Sequence, residues 1–256
     1  EVAHEINERH TNTAYLGQHC ELPTNLQAST SLSCLHGAQV LIVAVPHEFL
    51  DELLPQLRGK LAPAAQALSL VKGLQVDERG NIMPTSLSIA ASLGVPTSML
   101  AGPNIYTEMA ADEFAEATIG HEAGNEQGAR LLQRLFNTPA FRADLCADLV
   151  GVDLCAALKN CVTLACGFCA GLGLGMNTRT AVIRAGHNEI KRLCREYFPV
   201  REATFGEACG IGDLVLSCSV GRGQRVAAAF VKAGGAKSWS ELELELMPGQ
   251  HLPDPL

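Results

Sequence analysis

Short apolar runs alternate with segments of helical spacing over the first half of the chain. Residues 40–45 form an unbroken apolar run closed by Pro46, as expected for a strand buried on both faces. Strand and helix repeated at this interval predict a Rossmann-like, doubly wound α/β fold with a mostly parallel sheet. The predicted strands are 40–46, 67–71, 97–101, 116–120 and 140–142, and the predicted helices between them are 48–57, 83–93 and 125–136.

The strand pattern stops near residue 147, and only helical spacing follows it. The helices predicted there are 149–170, 178–197 with Asn177 as its N-cap, 202–209, 213–218 and 222–232, the last ended by Gly234 and Gly235. We therefore predict two domains, an α/β domain at 1–147 and an all-helical domain at 148–256.

Polar and turn residues follow three of the predicted strands. They are Pro46–His47, Lys72–Gly73 and Gly102–Asn104. Parallel strands end at the same edge of a sheet, and doubly wound sheets bind their ligands beyond that edge. We therefore expect these residues to lie together on one rim.

A lysine and an amide, Lys159 and Asn160, interrupt an otherwise almost wholly apolar helix. Between residues 149 and 170 the only other charged residue is Asp153. Burying an unpaired ammonium is costly, so this lysine needs either a partner or a chemical role. The alternative is an ordinary lysine whose stem covers apolar surface while its ammonium reaches water. The glycine-rich turn at 171–175 follows a helix rather than a strand, so it is not a dinucleotide fingerprint.

Asp213, Ser217 and Arg222 form a second candidate group. Asp213 and Ser217 are four residues apart, on one face of a predicted helix, and Arg222 opens the next helix. An arginine fork and free backbone N–H groups at a helix N-terminus suit a phosphate. The alternative is a capping aspartate beside a solvated serine.

Charge and hydropathy exclude two classes of partner. The net charge of −8 argues against nucleic acid, which needs a basic face. No uncharged apolar run reaches the roughly 20 residues of a membrane span, so no membrane partner is expected. A cluster of Lys72, Lys159, Arg222 and Arg225 would still focus positive potential on a small anionic substrate.

The cysteines and histidines give no sign of disulfides, redox chemistry or metal. The ten cysteines are scattered, and many lie in apolar helical runs, so we expect free thiols and a reducing compartment. The pair Cys166 and Cys169 lies near the end of a helix, whereas a thioredoxin-type pair begins one. The eight histidines have no metal-binding spacing, so no metal is predicted.

Six motifs, read in order, resemble one family. They are Val45-Pro-His-Glu-Phe49, Leu70-Val-Lys-Gly73, Gly102-Pro-Asn-Ile105, Ala157-Leu-Lys-Asn160, the run from Gly171 to Ala181, and Gly210-Ile-Gly-Asp-Leu214. Together they extend over nearly the whole chain. The chain resembles the nicotinamide-dependent glycerol-3-phosphate dehydrogenases, which interconvert dihydroxyacetone phosphate and sn-glycerol 3-phosphate.

The resemblance implies a role for each matching residue. Lys159 would exchange a proton with the substrate oxygen. The implied catalytic residues are Lys159, Asp213, Asn160 and Lys72. The implied substrate-binding residues are Lys72, Asn104, Asn160, Ser217, Arg222 and Gly223, with Arg222 on the phosphate. The implied cofactor-binding residues are Phe49, Lys72, Tyr106 and Arg222.

Three positions depart from the family's pattern. Gly223 stands where the family usually has asparagine, which removes one phosphate contact that a backbone N–H would have to replace. Ser217 replaces threonine but keeps the hydroxyl. Tyr106 replaces a smaller residue beside the cofactor.

The resemblance also sets expectations for the cofactor, the partners and the chain ends. The cofactor is expected to be NAD, with NADP left open, because the glycine fingerprint and the discriminating acidic residue would precede Glu1. The family's C-terminal helices would be truncated beyond residues 249–252. We expect a homodimer in the cytoplasm, with a plastid or another organelle left open. Two alternatives remain: a related two-domain dehydrogenase of another hydroxy acid, and a non-catalytic, diverged or truncated binding protein.

Overall fold

The computed structural model describes residues 1–17, 20–76 and 80–247. Within these ranges the chain forms a five-stranded sheet, a two-stranded hairpin and eleven α-helices. The strands are β1 (Val40–Val43), β2 (Gln66–Ser69), β3 (Leu74–Val76), β4 (Ile82–Pro84), β5 (Thr97–Ala101), β6 (Ala115–Gly120) and β7 (Phe141–Cys146). The helices are α1 (Val2–Arg9), α2 (Thr13–Leu16), α3 (Leu50–Leu57), α4 (Thr85–Leu93), α5 (Tyr106–Ala110), α6 (Glu126–Phe136), α7 (Leu149–Gly171), α8 (Met176–Tyr197), α9 (Asp213–Val220), α10 (Arg222–Ala233) and α11 (Trp239–Leu246).

The large sheet has the strand order β1-β2-β5-β6-β7. Strands β1, β2 and β5 are parallel, so the segments that follow them lie at one edge, as expected. Strand β6 runs antiparallel to β5, and β7 runs parallel to β6. The doubly wound, mostly parallel sheet is thus confirmed, but the reversal at β6 was not predicted. The β5–β6 connection carries only the five-residue helix α5, so the chain turns back instead of crossing over the sheet.

Several predicted helix boundaries were wrong. The helix predicted at 83–93 begins at Thr85, because Ile82–Pro84 pairs with Leu74–Val76 as the hairpin β3–β4. Asn177 is not an N-cap: α8 begins at Met176, two residues before the predicted start, and its N-cap is Gly175. The helix predicted at 202–209 is instead a 3₁₀ turn, Glu202–Gly206, followed by a π-helix, Ala208–Gly212.

Helix α7 is the centre of the helical half and also packs on the sheet. Its buried side chains share one apolar cluster with Met99 and Ala101 of β5 and with Cys218 of α9. Helix α10 crosses α7 closely, since a Cβ on Gly167 would lie 2.5 Å from the Gln224 carbonyl oxygen. The expected boundary at 147 falls between β7 and α7, but this packing joins the two halves in one core. The division into two domains stays a prediction.

By length and composition alone, α7 is also the one helix in the described residues that would suit a membrane span. This is a weak indication, because the core helices of globular proteins pass the same test, and 61% of its apolar window is buried inside the protein. The buried charges Asp153 and Lys159 on α7 agree with a core helix.

All ten cysteines are free thiols in the structure, as expected, and the reducing compartment stays a prediction. Burial raises the pKa of Cys194 and of Cys218 to about 12, as it does for thiols that serve as small apolar side chains. Cys166 and Cys169 lie in the last turns of α7, the position that argued against a redox pair.

Candidate active site

Three charged side chains from distant parts of the sequence meet where the sheet and the helices pack together. Lys72 follows β2, Lys159 lies in the middle of α7, and Asp213 opens α9. Asp213 Oδ1 lies 2.5 Å from Lys159 Nζ, and Asp213 Oδ2 lies 2.9 Å from Lys72 Nζ. The side chains of Lys159 and Asp213 are 7% and 3% exposed, whereas that of Lys72 is 35% exposed. One carboxylate therefore holds two ammonium groups, one buried and one partly open to solvent.

Ser217 completes the setting of Lys159. It lies one turn after Asp213 on α9 and accepts a hydrogen bond of 2.9 Å from Lys159 Nζ. Its own hydroxyl lies 3.5 Å from Asp213 Oδ1. Among the described residues, Asp213 and Ser217 are the acceptors of this ammonium, which leaves one of its three N–H groups for a substrate oxygen.

The pKa of Lys159 is lowered from 10.5 to about 8. Burial is the main cause, the charge of Lys72 adds to it, and the carboxylate of Asp213 opposes both. An amine with this pKa holds its proton at neutral pH and releases it readily, as a general acid or base requires. The expectation that this lysine is buried and partnered, rather than solvated, therefore agrees with the geometry.

The loop after β5 brings Asn104 to the same rim. Its side-chain amide donates a 2.9 Å hydrogen bond to the Glu116 carbonyl oxygen, which fixes the side chain. Gly102 has to be glycine, since a Cβ there would lie 2.5 Å from the same oxygen. A Cβ on Gly212 would contact Pro103 at 3.6 Å, so the loop packs directly against the residue before Asp213.

Arg222 and Gly223 begin α10, directly after the helix that carries Asp213 and Ser217. A single residue, Gly221, joins the two helices, and a Cβ there would lie 2.3 Å from the Ser217 carbonyl oxygen. Helix α10 is twelve residues long, and the N–H groups of its first turn have no hydrogen-bond partner within the helix. At Gly223 a Cβ would have only ordinary contacts, at 3.5 Å or more, so a side chain would fit there.

Two exposed aromatic side chains flank the rim. Phe49 ends the 3₁₀ turn after β1, Tyr106 opens α5 after β5, and their exposed fractions are 52% and 47%. Exposed rings at strand ends suit the planar ring of a nicotinamide, and the neighbouring ammonium groups suit the phosphates of a substrate. Asn160 lies half-buried on α7 beside Lys159.

Some features of the site were not anticipated from the sequence. His47 packs against Gly73, where a Cβ would lie 2.7 Å from the imidazole ring, so this glycine allows the chain after β2 to reach the rim. Asp153 stands out in the sequence as a charge in an apolar helix, but the pattern around it predicts no role.

In the part of the chain that the structure describes, no group of three or more His, Cys, Asp and Glu residues could hold a metal ion.

A doubly wound sheet whose strand ends face a buried lysine is typical of dinucleotide-dependent oxidoreductases. Comparison with known proteins narrows this class. Two family models match: NAD-dependent glycerol-3-phosphate dehydrogenase N-terminus over residues 1–127, and its C-terminus over residues 148–251. The chain belongs to the NAD-dependent glycerol-3-phosphate dehydrogenase family, which confirms the resemblance seen in the motifs.

Individual relatives agree with this assignment. The chain is 41% identical to a human protein named glycerol-3-phosphate dehydrogenase [NAD(+)], cytoplasmic, covering 98% of this chain and 71% of the relative. It is 40% identical to glycerol-3-phosphate dehydrogenase [NAD(+)] 1, chloroplastic, of Arabidopsis thaliana, covering 96% of this chain and 62% of the relative. A solved Plasmodium falciparum glycerol-3-phosphate dehydrogenase superposes with a TM-score of 0.90 at 36% identity, covering 98% of this chain and 70% of that one. The chain thus spans about two thirds of the length of the relatives it matches.

Proposed function

We propose that this protein interconverts dihydroxyacetone phosphate and sn-glycerol 3-phosphate, with NAD as the cofactor. The observation that carries the proposal is the buried Lys159, held by Asp213 and Ser217, with a pKa lowered to about 8. Family membership supports both the reaction and the cofactor.

In this mechanism Lys159 gives a proton to the substrate oxygen. When bound, a reduced nicotinamide would supply the hydride for the carbonyl carbon. As negative charge develops on the oxygen, the free N–H of Lys159 donates to it, and the proton passes from Nζ to the new hydroxyl. The neutral amine then takes a proton from solvent. In the oxidation direction the neutral amine removes the proton of the substrate hydroxyl.

Asp213 and Lys72 set the position and charge of the proton donor. Asp213 Oδ1 lies 2.5 Å from Lys159 Nζ and holds the amine in place. Its negative charge also stabilises the ammonium form of this buried lysine. Lys72, 2.9 Å from the same carboxylate, adds a positive charge that lowers the pKa of Lys159 and is itself open enough to contact the substrate. Asn104 and Asn160 would bind polar groups of the substrate.

The phosphate of the substrate would bind at the start of α10. Arg222 would pair with it, and the backbone N–H of Gly223 would take the place of a side-chain amide. Anchoring the dianion fixes the distance between the carbonyl and Lys159, a kind of positioning that lowers a barrier by several kcal/mol.

The cofactor would lie across the rim. Phe49 and Tyr106 present exposed rings for the nicotinamide end, and Lys72 and Arg222 would also contact the cofactor. These residues fit that end of the molecule, whereas the pyrophosphate needs a glycine fingerprint that none of the six motifs supplies.

Cofactor consumption tests the proposal. The purified protein is mixed with NADH and dihydroxyacetone phosphate, and the loss of NADH absorbance is followed. We expect turnover with this substrate and much slower turnover with unphosphorylated dihydroxyacetone, which has nothing to offer Arg222. Equal rates with both ketones would favour a dehydrogenase of another substrate. Binding of NADH without turnover of either ketone would contradict an enzymatic function. Repeating the assay with NADPH in place of NADH shows which of the two cofactors the protein uses.

We also propose a homodimer that functions in the cytoplasm. Exposed apolar side chains cluster at the turn between α7 and α8, where Leu172 and Met176 are among the most exposed, and such patches suit a protein interface. The names of the relatives are divided between cytoplasm and chloroplast. Light scattering of the purified protein tests the dimer, and imaging of a tagged full-length protein tests the location.

A further inference from the structure

Asp153 is a fully buried carboxylate that the proposed mechanism does not use. It lies on α7, six residues before Lys159. Among the described residues no cation lies within ion-pair distance of it. Burial raises its pKa to about 6, opposed by hydrogen bonds from Ser86 and Thr85. A buried charge kept without a cation needs a structural or functional reason.

The carboxylate caps a helix that belongs to another part of the chain. Helix α4 begins after Pro84, which has no side chain able to cap the first turn. Instead, Asp153 Oδ2 accepts a 2.8 Å hydrogen bond from the Ser86 backbone N–H, and the Thr85 hydroxyl lies 3.4 Å from both carboxylate oxygens. A negative charge at a helix N-terminus is the favourable sign for the helix dipole.

The capped turn is attached to the segment that carries Lys72. The Thr85 hydroxyl is also 3.3 Å from the Val71 carbonyl oxygen, directly before Lys72. On the other side of Lys72, Leu74 pairs with Pro84, the residue directly before Thr85. Lys72 thus lies in a short span that is fastened on both sides to the first turn of α4.

We propose that Asp153 is a positioning residue that acts through the first turn of α4, at Thr85 and Ser86, to hold Lys72 against Asp213. It extends from the helix that carries Lys159 to the turn that anchors Lys72. The two ammonium groups are thereby fixed relative to one another from a single helix. The kinetic consequence rests on the proposed function, whereas the geometric consequence does not.

Amine labelling of the full chain tests the geometric consequence without any assay of activity. The protein is treated with an acylating reagent, and the rate at which Lys72 is acylated is followed by mass spectrometry. In Thr85→Val, which removes the hydroxyl at nearly constant volume, and in Asp153→Ala, we expect Lys72 to react several-fold faster because its ammonium leaves Asp213 more often. Asp153→Asn keeps an acceptor for the Ser86 N–H and should restore a rate near that of the wild type.

The matched control is Asp148→Ala, which removes another buried carboxylate at the start of the same helix. Asp148 caps α7 itself by accepting from the Gly151 backbone N–H at 2.9 Å, and its other hydrogen bonds, to Arg201 and Thr204, also lie away from the turn at 84–86. Loss of the Asp148 carboxylate should leave the acylation rate of Lys72 unchanged. If Lys72 in folded Thr85→Val reacted at the wild-type rate, or if Asp148→Ala accelerated it equally, the positioning role would be wrong.

Double-mutant kinetics tests the functional consequence. If Asp153 acts through Lys72, adding Asp153→Ala to Lys72→Ala should lower kcat/KM no further than Lys72→Ala does alone. Losses that multiply would indicate a general structural role and would overturn the proposal. A wild-type protein that does not reduce dihydroxyacetone phosphate would contradict the proposed function, and the labelling rates would still decide the role of Asp153.

Discussion

Replacing Lys159 with methionine is expected to raise stability and abolish most of the activity. The pKa of this amine is lowered from 10.5 to about 8, which corresponds to about 3 kcal/mol against holding the charged form in the folded protein. Methionine fills similar space without the charge and leaves Asp213 paired with Lys72 at 2.9 Å. We therefore expect the free energy of unfolding at neutral pH to rise, with about 3 kcal/mol as the upper bound.

The direction in which the free energy of unfolding changes with pH follows from the number of protons that the folded and unfolded chains bind. Below about pH 8 both the folded and the unfolded wild-type chain hold the proton on Lys159, and the unfavourable contribution is fully present. As the pH rises from about 8 towards 10.5, the folded chain releases this proton first, so the unfolded chain binds more protons and the stability of the wild type increases. Urea unfolding of Lys159→Met across this range should lack that increase.

Activity should change in the opposite direction. General acid–base catalysis contributes about 10²–10⁴-fold, so kcat for reduction of dihydroxyacetone phosphate should fall by about that factor, with a far smaller change in KM. The matched control is Lys191→Met, which removes a lysine that pairs with Glu202 and takes no part in the Asp213 cluster, so it should keep the wild-type kcat. A Lys159→Met variant with near-normal turnover, or one that loses stability together with activity, would refute the assignment of a buried proton donor.

Three further outcomes follow from the same site. Because reduction needs the protonated amine of Lys159, kcat/KM for the ketone should fall as the pH rises through about 8 while that for glycerol 3-phosphate oxidation rises, and a profile flat across this range would contradict the proton transfer. Gly223→Asn should lower KM for dihydroxyacetone phosphate relative to Gly223→Ala, because the asparagine would supply an amide to the phosphate. A Cβ at this position would lie 3.5 Å from Leu164, so a side chain fits there. Equal KM values would place the phosphate elsewhere. Ser217→Ala removes an acceptor 2.9 Å from Lys159 Nζ and should reduce kcat by about tenfold, whereas Ser217→Thr should keep it; a normal kcat in the alanine variant would show that Asp213 alone holds the lysine.

Elements that are buried along their own length were the most predictable. Strand β5 is buried at every position and has the bounds that its apolar run predicts, and α7 extends one residue beyond its predicted end. In both, the contrast between a mainly apolar segment and the turn residues around it carries most of the signal.

Elements that depend on distant partners were predicted poorly. Ile82–Pro84 has the apolar residues of a helix start, yet it is a strand because Leu74–Val76 lies beside it, and the first turn of α4 is capped by Asp153 from another helix. Neither partner is visible in the local pattern. The reversal of β6 has the same origin, since strand direction is decided by the connection and the packing rather than by alternation within the strand.

The candidate site lies between these two cases. The apolar helix around Lys159 gave a reason to single that lysine out, but nothing local to Lys72 predicts a carboxylate 141 residues later in the chain. The ordered motifs brought these residues together by resemblance, and the fold brings them within hydrogen-bonding distance. The departures at Gly223 and Tyr106 fall at positions proposed to bind the phosphate and the cofactor, so we expect them to alter recognition and to leave the contacts of Lys159 with Asp213 and Ser217 intact.

The charge balance of the cluster gives a physical reason for an anionic substrate. Two ammonium groups share the single carboxylate of Asp213, and Arg222 begins the next helix, in a chain whose net charge is −8. The site therefore has a local excess of positive charge within an acidic protein, and the charge of Lys72 is already sufficient to help lower the pKa of Lys159. A bound phosphate would neutralise that excess and favour the protonated form of Lys159, which is the form that reduction consumes. Binding of the phosphorylated ketone and protonation of the proposed donor would thus be coupled through the same electrostatic field, which an unphosphorylated ketone would leave unchanged.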